Sequence, residues 1–251
     1  MVIALAAAMM LAACGTGKPS AAPSPSGPVA GQVNCPDQTT GAKPVHFGTD
    51  LRADLYGLVF GTGKTGVVIS HMNGGDVCQG TPFGKELAQA GYRVLVFDFA
   101  GFGVSSAAAG VTYADQVKAA AAALRADGAT SIVLLGGSMG ATATLAAAPG
   151  ITPPPAAVVA LSPPLLFSND NAEAGAAKLS MPVLYAAGAL ESEYPENIAK
   201  LAAETPKNVP HQTVLGEASL NHGLYLTDPA IGVPGVRTAV EDFLKKYAPA
   251  S

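Results

Sequence analysis

The sequence predicts an α/β domain: a doubly wound, mostly parallel eight-stranded sheet with an antiparallel hairpin at its N-terminal edge and no sizeable cap domain. Three observations carry this expectation. Short runs rich in β-branched residues recur along the chain, and several are continuous rather than alternating, as strands covered on both faces must be. Helix-like segments separate those runs, and strand–helix alternation is most simply satisfied by a parallel sheet. Of 251 residues, 49% are hydrophobic and 13% charged, about half the usual ~25% charged, so the chain has ample material for a large core.

The elements follow in order. Runs at 45–49 and 55–60 bracket a short polar turn and form the edge hairpin. Strands are expected at 66–70, 93–97, 131–135, 157–161, 182–185 and 212–215. Helices are expected at 82–90, 113–126, 141–148, 172–179, 195–203 and 236–247. Right-handed crossovers between parallel strands place those helices on both faces of the sheet. The stretch 117–124 is Val-Lys-Ala-Ala-Ala-Ala-Ala-Leu; alanine favours helix and lets it lie close to strands. With no Trp and 6% aromatics, the core is built from small aliphatics. Only about twenty residues separate Ser162 from the strand at 182, too few for a cap.

The N-terminus reads as an address. Residues 2–13 form an apolar run, too short to span a bilayer as a helix but suited to a signal-peptide core. The run ends Leu11-Ala12-Ala13-Cys14, which resembles the lipobox of bacterial lipoproteins, although no Lys or Arg precedes it. That resemblance implies cleavage before Cys14 and lipidation of Cys14. The segment that follows is rich in Pro, Ser, Gly and Ala, a composition that makes an extended tether. The expected organisation is a signal peptide at 1–13, a lipidated Cys and tether at 14–34, and the folded domain at 35–251. The protein is then extracytoplasmic and anchored to the cell membrane by lipid. Three cysteines less a lipidated one leave Cys35 and Cys78, which are expected to form a disulfide in an oxidising compartment.

Composition and spacing exclude several functions. The net charge is −4 and no basic block of five occurs, which argues against nucleic acid as a partner. The four His show no H-x-x-x-H pair and no Cys at ligand spacing, so no metal site is expected. Gly61-Thr62-Gly63-Lys64-Thr65-Gly66 matches G-x-G-x-x-G but leads into a strand rather than a helix, so it lacks the helix N-terminus that would hold a pyrophosphate. No cofactor is expected, and the chain is expected to be a monomer.

One motif survives. Gly136-Gly137-Ser138-Met139-Gly140 fits G-x-S-x-G at the end of the strand at 131–135 and opens a helix. A sharp strand-to-helix turn lifts the Ser hydroxyl above the sheet, and the helix N-terminus brings partial positive charge to an oxyanion. Three further segments occur in order: His71-Met72-Asn73-Gly74-Gly75, then Asp98-Phe99-Ala100-Gly101-Phe102-Gly103-Val104-Ser105, then Asn221-His222-Gly223. With these, residues from about 45 to 247 resemble an α/β-hydrolase. The first segment resembles that family's His-Gly-x oxyanion loop, with Met72 where Gly is common. The second resembles its D-x-R-G-x-G-x-S loop, with Ala100 replacing Arg. The third occupies its catalytic His position.

The resemblance implies a Ser-His-acid hydrolase. Ser138 is the expected nucleophile and His222 its base, following the order Ser–acid–His. The acid is expected at Glu191, three residues past Gly188, with Glu193 and Asp170 as alternatives. Oxyanion donors are the backbone N–H of Met139 and that of Asn73 or Met72. His71, His46 and His211 are expected to be structural. No Arg or Lys cluster offers itself to an anionic substrate. The expected function is an exported, membrane-tethered esterase that takes small, uncharged carboxylic esters through an acyl-enzyme. The alternative is a lipoprotein that keeps the fold and only binds.

Overall fold

The computed structural model describes residues 31–251; the expected signal peptide, Cys14 and most of the expected tether lie outside the described residues. Strands are β1 Lys43–Phe47, β2 Leu55–Phe60, β3 Thr65–Ser70, β4 Arg93–Phe97, β5 Ser131–Gly137, β6 Ala157–Leu161, β7 Leu166–Phe167, β8 Asp170–Asn171, β9 Val183–Gly188 and β10 His211–Gly216. Helices are α1 Val77–Gln89, α2 Tyr113–Ala126, α3 Met139–Ala147, α4 Ala172–Ala176, α5 Tyr194–Glu204 and α6 Pro234–Tyr247. The main sheet has eight strands in the order β1-β2-β4-β3-β5-β6-β9-β10. β1 pairs antiparallel with β2, and β2 with β4; all other pairs are parallel. The expected edge hairpin and parallel sheet are both present. Between β6 and β9 there is only the small β7–β8 ribbon and α4, so no sizeable cap is inserted there.

The continuous apolar strands bury residues on both faces. Ile132 and Leu134 of β5 join one core cluster, and Val133 and Leu135 the other. α2, α3, α4 and α5 cover the first face, with Ala120, Ala121 and Leu124 of α2 fully buried. α1 and α6 cover the second; α6 buries Val236, Val240, Phe243 and Leu244, the i, i+4, i+7, i+8 stripe of an amphipathic helix.

Most element ends lie within two residues of the sequence expectation, β9 runs on to Gly188, and two helix ends shift by three residues or more. α1 starts at Val77, not at Pro82, because Asp76 caps it by accepting the Cys78 N–H at 2.8 Å. The helix carries Pro82 in its interior. α4 stops at Ala176, after which Ala177, Lys178 and Leu179 close turns onto the carbonyls of Glu173, Gly175 and Ala176.

Cys35 and Cys78 form the expected disulfide, with Cα atoms 5.8 Å apart. It closes a sequence separation of 43 residues, worth ~4 kcal/mol in the chain-entropy model. It ties the short turn at Pro36–Gln38 to the first turn of α1. Nearby, Asn34 Nδ2 donates to Asp76 Oδ2 at 2.7 Å, and Gly31 N–H donates to the Gly103 carbonyl at 2.6 Å.

Candidate active site

All six strands from β3 to β6, β9 and β10 run parallel, so their C-terminal ends share one edge. The sequence-expected site residues come from the segments that leave this edge.

Ser138 sits between β5 and α3 at φ +50°, ψ −120°. This is left-handed backbone that a non-Gly residue rarely adopts and that surrounding structure must enforce. Here the enforcement is visible. Ser138 N–H donates to the Leu161 carbonyl at 2.8 Å, and Ser138 O accepts from Ala141 and Thr142. A Cβ on Gly136 would lie 2.3 Å from the Gly140 carbonyl oxygen, and one on Gly140 would lie 2.3 Å from that of Ser70. Any side chain at either position would therefore push the turn open.

His222 lies in the segment between β10 and α6, just before a short 3₁₀ turn at Gly223–Leu226. That turn rests on the serine turn: a Cβ on Gly223 would come within 3.2 Å of Ser138 N and 2.5 Å of Met72 Sδ. His222 Nδ1 is 2.5 Å from Glu191 Oε1. A carboxylate only accepts, so the Nδ1 proton points to Glu191 and Nε2 carries the lone pair. The His222 side chain is 33% exposed and that of Glu191 only 4%, so the acid is shielded while the imidazole still reaches solvent.

The buried carboxylate is fully engaged. Its Oε2 accepts Gly188 N–H at 2.6 Å and Ser162 Oγ–H at 2.7 Å. Ser162 Oγ in turn accepts Gly223 N–H at 2.9 Å. Ser162 thus links the acid to the backbone next to His222. It is wholly buried at the end of β6, with φ +48°. The Tyr194 ring packs on His222 with centroids 4.6 Å apart. Sequence reasoning did not single out Ser162 or Tyr194. Neither belongs to a motif, and a strained buried Ser at a strand end leaves no mark in spacing.

The other expected carboxylates lie elsewhere. Glu193 is exposed at the start of α5 and its side chain makes no capping bond. Asp170 is buried, and its Oδ2 accepts the Ala114 N–H at 3.0 Å in the first turn of α2. Burial raises its pKa.

The expected oxyanion loop follows β3. Met72 N–H donates to Gln79 Oε1 at 2.9 Å, so it is already spent on the loop's own structure. The sequence expectation of a donor in this loop therefore falls on the Asn73 N–H, alongside Met139 N–H at the start of α3. Gln79, which supports the loop from α1, was not anticipated from the sequence.

His71 is 1% exposed beneath this loop. Its Nε2 accepts Phe99 N–H at 3.0 Å, which places the proton on Nδ1, donated to the Met72 carbonyl at 2.7 Å. Burial lowers its pKa to about 4. The folded protein keeps His71 neutral while the unfolded chain takes a proton below 6.5, so this contribution to stability is whole above 6.5 and is lost as pH falls toward 4. Asp98 acts in the opposite sense. Its carboxylate accepts Val77 N–H at 2.6 Å and Val104 N–H at 2.8 Å, yet burial raises its pKa to about 6. Its contribution is whole below about 3.8 and is lost as pH rises through 6. A His71→Gln variant, which keeps an acceptor for Phe99, is expected to gain about 3 kcal/mol relative to wild type between pH 7 and 4. Urea unfolding across that range measures the difference; parallel curves would contradict it.

His46 bonds Asp54 at 2.8 Å on the surface, and His211 Nδ1 lies 3.0 Å from the Val209 carbonyl. Among the described residues no group of three or more His, Cys, Asp or Glu is placed to hold a metal ion. No helix among them is long and apolar enough to cross a membrane.

Residues 65–183 match the profile of a family described by the alpha/beta hydrolase fold. No curated protein matches the chain in sequence. Among solved structures, the Pyrococcus furiosus esterase Pf2001 superposes with a TM-score of 0.69 at 18% identity, covering 88% of this chain and 97% of that one. Est1E of Butyrivibrio proteoclasticus, solved with ferulic acid bound, gives 0.62 at 19%, covering 81% and 98%. A bacterial membrane phospholipase A, described as a virulence factor, gives 0.68 at 14%, covering 84% and 89%. The chain has the α/β-hydrolase fold.

Proposed function

We propose that this chain is a serine hydrolase of small, uncharged carboxylic esters, working through an acyl-enzyme. The observation that carries the reading is the Glu191–His222 hydrogen bond of 2.5 Å, set against Ser138 on its left-handed turn. A protein that merely binds has no need to hold a serine in disfavoured backbone against the segment that carries an oriented imidazole.

In this reading His222 Nε2 takes the Ser138 Oγ proton as Oγ bonds to the ester carbonyl carbon. Glu191 fixes the tautomer and stabilises the imidazolium. The carbonyl oxygen becomes an oxyanion facing Met139 and Asn73 N–H; such donors contribute ~2.7–4 kcal/mol each to the transition state. The C–O bond to the alcohol breaks, and the leaving alkoxide takes the proton from His222. Water then attacks the acyl-enzyme with Nε2 as base. The second collapse releases the carboxylic acid and returns the proton to Ser138.

A fluorophosphonate probe tests the proposal. One adduct on Ser138, located by mass spectrometry of the digested protein, is expected; no adduct at high probe excess would favour the binding-only reading.

The cellular setting is part of the proposal. The string Leu11-Ala12-Ala13-Cys14 and the Pro- and Ser-rich stretch after it support export, lipidation at Cys14 and a tether through 34, with the catalytic domain at 35–251. The Cys35–Cys78 disulfide agrees with an oxidising compartment. Acyl chains on Cys14 are expected by intact-mass measurement, and a Cys14→Ser chain is expected to lack them with esterase activity retained. A wild-type protein lacking acyl groups would refute the anchor.

A further inference from the structure

We infer that the sheet edge carrying Ser138 and His222 is a docking surface for an uncharged lipid–water interface. The site would then draw its ester from that interface, a step that rests on the hydrolase reading above.

The first observation is where apolar surface is exposed. Among the described residues the exposed large apolar side chains are Leu166 (62%), Leu190 (58%), Leu215 (49%), Leu220 (72%), Tyr225 (39%) and Ile231 (58%). None lies on the outer helix faces or at the opposite edge. Leu166 follows β6, Leu190 follows β9, Leu215 ends β10, and the other three lie between β10 and α6. Five of them belong to segments that are hydrogen-bonded to one another at the C-terminal ends of β9 and β10. Leu190 N–H donates to the Ser219 carbonyl, beside Leu220, and Ala189 N–H donates to Gly216, beside Leu215. Asn221 Nδ2 donates to the Ile231 carbonyl at 2.6 Å, and Tyr225 N–H to that of His222. Exposed apolar side chains scattered singly need no explanation, but their concentration on the segments of one sheet edge marks a contact surface.

Charge selects the kind of surface. The segments leaving this edge, 71–79, 98–112, 162–175, 189–196 and 216–233, contain Asp and Glu but no Lys or Arg. Glu193, Glu196 and Glu217 are exposed there. Peripheral attachment to anionic lipid uses cations beside the apolar contacts; this edge has none and would be repelled. It therefore fits an interface of zwitterionic or uncharged lipid.

The entry of the chain agrees. The first described residue, Gly31, donates to Gly103 in the segment after β4, and Asn34 reaches Asp76 in the segment after β3. The N-terminal leader thus joins the domain on this same edge. A protein partner seated on this edge would bury Ser138 and His222, whereas a lipid surface would present acyl chains to them.

The test uses the expected mature chain, residues 14–251, carrying Cys14→Ser, so that neither a lipid anchor nor the apolar run at 2–13 contributes, against the same chain with Leu220→Ser and Ile231→Ser added. The first chain is expected to float with phosphatidylcholine vesicles and the second to lose about tenfold in bound fraction. Adding phosphatidylglycerol at low salt is expected to weaken binding. Hydrolysis of p-nitrophenyl decanoate held in the vesicles is expected to fall in parallel, while that of dissolved p-nitrophenyl butyrate stays within about twofold. Equal flotation of the two chains, no flotation of the first, or tighter binding with phosphatidylglycerol would overturn the proposal. Selective flotation by a chain inert on butyrate would sink the hydrolase reading alone and uphold the docking surface.

Discussion

Ser138→Ala is expected to cut turnover of a p-nitrophenyl ester by ~10³-fold or more while leaving the thermal unfolding curve close to wild type. The loss follows from chemistry: no other hydroxyl stands on the turn against which Gly223, the residue after His222, packs. Small cost to stability is expected because the constraints on this turn are backbone contacts. Gly136 and Gly140 are pressed against carbonyl oxygens, and Ser138 donates through its N–H to Leu161. An Ala at φ +50° keeps the strain already present and adds none. His222→Ala is expected to cost about as much as Ser138→Ala, and the double variant little more, because neither group contributes without the other. Steady-state kinetics on the three variants decides it. Multiplicative losses would show that the two act separately, and unchanged turnover in Ser138→Ala would remove it as the nucleophile.

What the sequence disclosed, and what it withheld, follows from how local each determinant is. The sheet was readable because each strand buries both faces and so writes an unbroken apolar run, as in β5 and β6. The serine turn was readable because its steric demand falls on two glycines a fixed distance either side of Ser138. The α1 start was misplaced because Pro82 is a strong local signal. The cap that sets the start is Asp76, whose carboxylate also holds Asn34, a contact across the chain. Ser162 was invisible for the same reason. Its role depends on Glu191 being 29 residues away and Gly223 61 residues away in sequence. Asn73 and Met72 were left as alternatives because the bond that occupies the Met72 N–H comes from the Gln79 side chain on α1, which no motif records. The exposed leucines could not be told from core leucines by composition; only the sheet edge on which they fall separates them.

Glu191→Gln is expected to be the most informative change at the acid. The amide preserves the volume of the side chain but turns an acceptor pair into one acceptor and one donor. Glu191 now accepts three hydrogen bonds, from His222, Ser162 and Gly188. The Gln oxygen can face only one side. If it stays with Gly188 and Ser162, the NH₂ faces Nδ1 and favours the tautomer with the proton on Nε2, which is useless as a base. If it turns to His222, the NH₂ is driven against the Gly188 N–H in a buried site. Either arrangement is expected to cost ~10⁴ in kcat, the size of the wrong-tautomer effect in a serine triad. The second adds a stability loss of ~1–3 kcal/mol for the unsatisfied buried groups. Glu191→Asp keeps the charge but shortens the reach, and is expected to lose less. Glu193→Gln is expected to be nearly silent, since that carboxylate is exposed and lies off the His222 hydrogen bond. Measuring kcat and urea stability for the three variants separates the outcomes. A crippling Glu193→Gln would move the acid by two residues, and full activity in Glu191→Gln would mean that His222 works without a carboxylate.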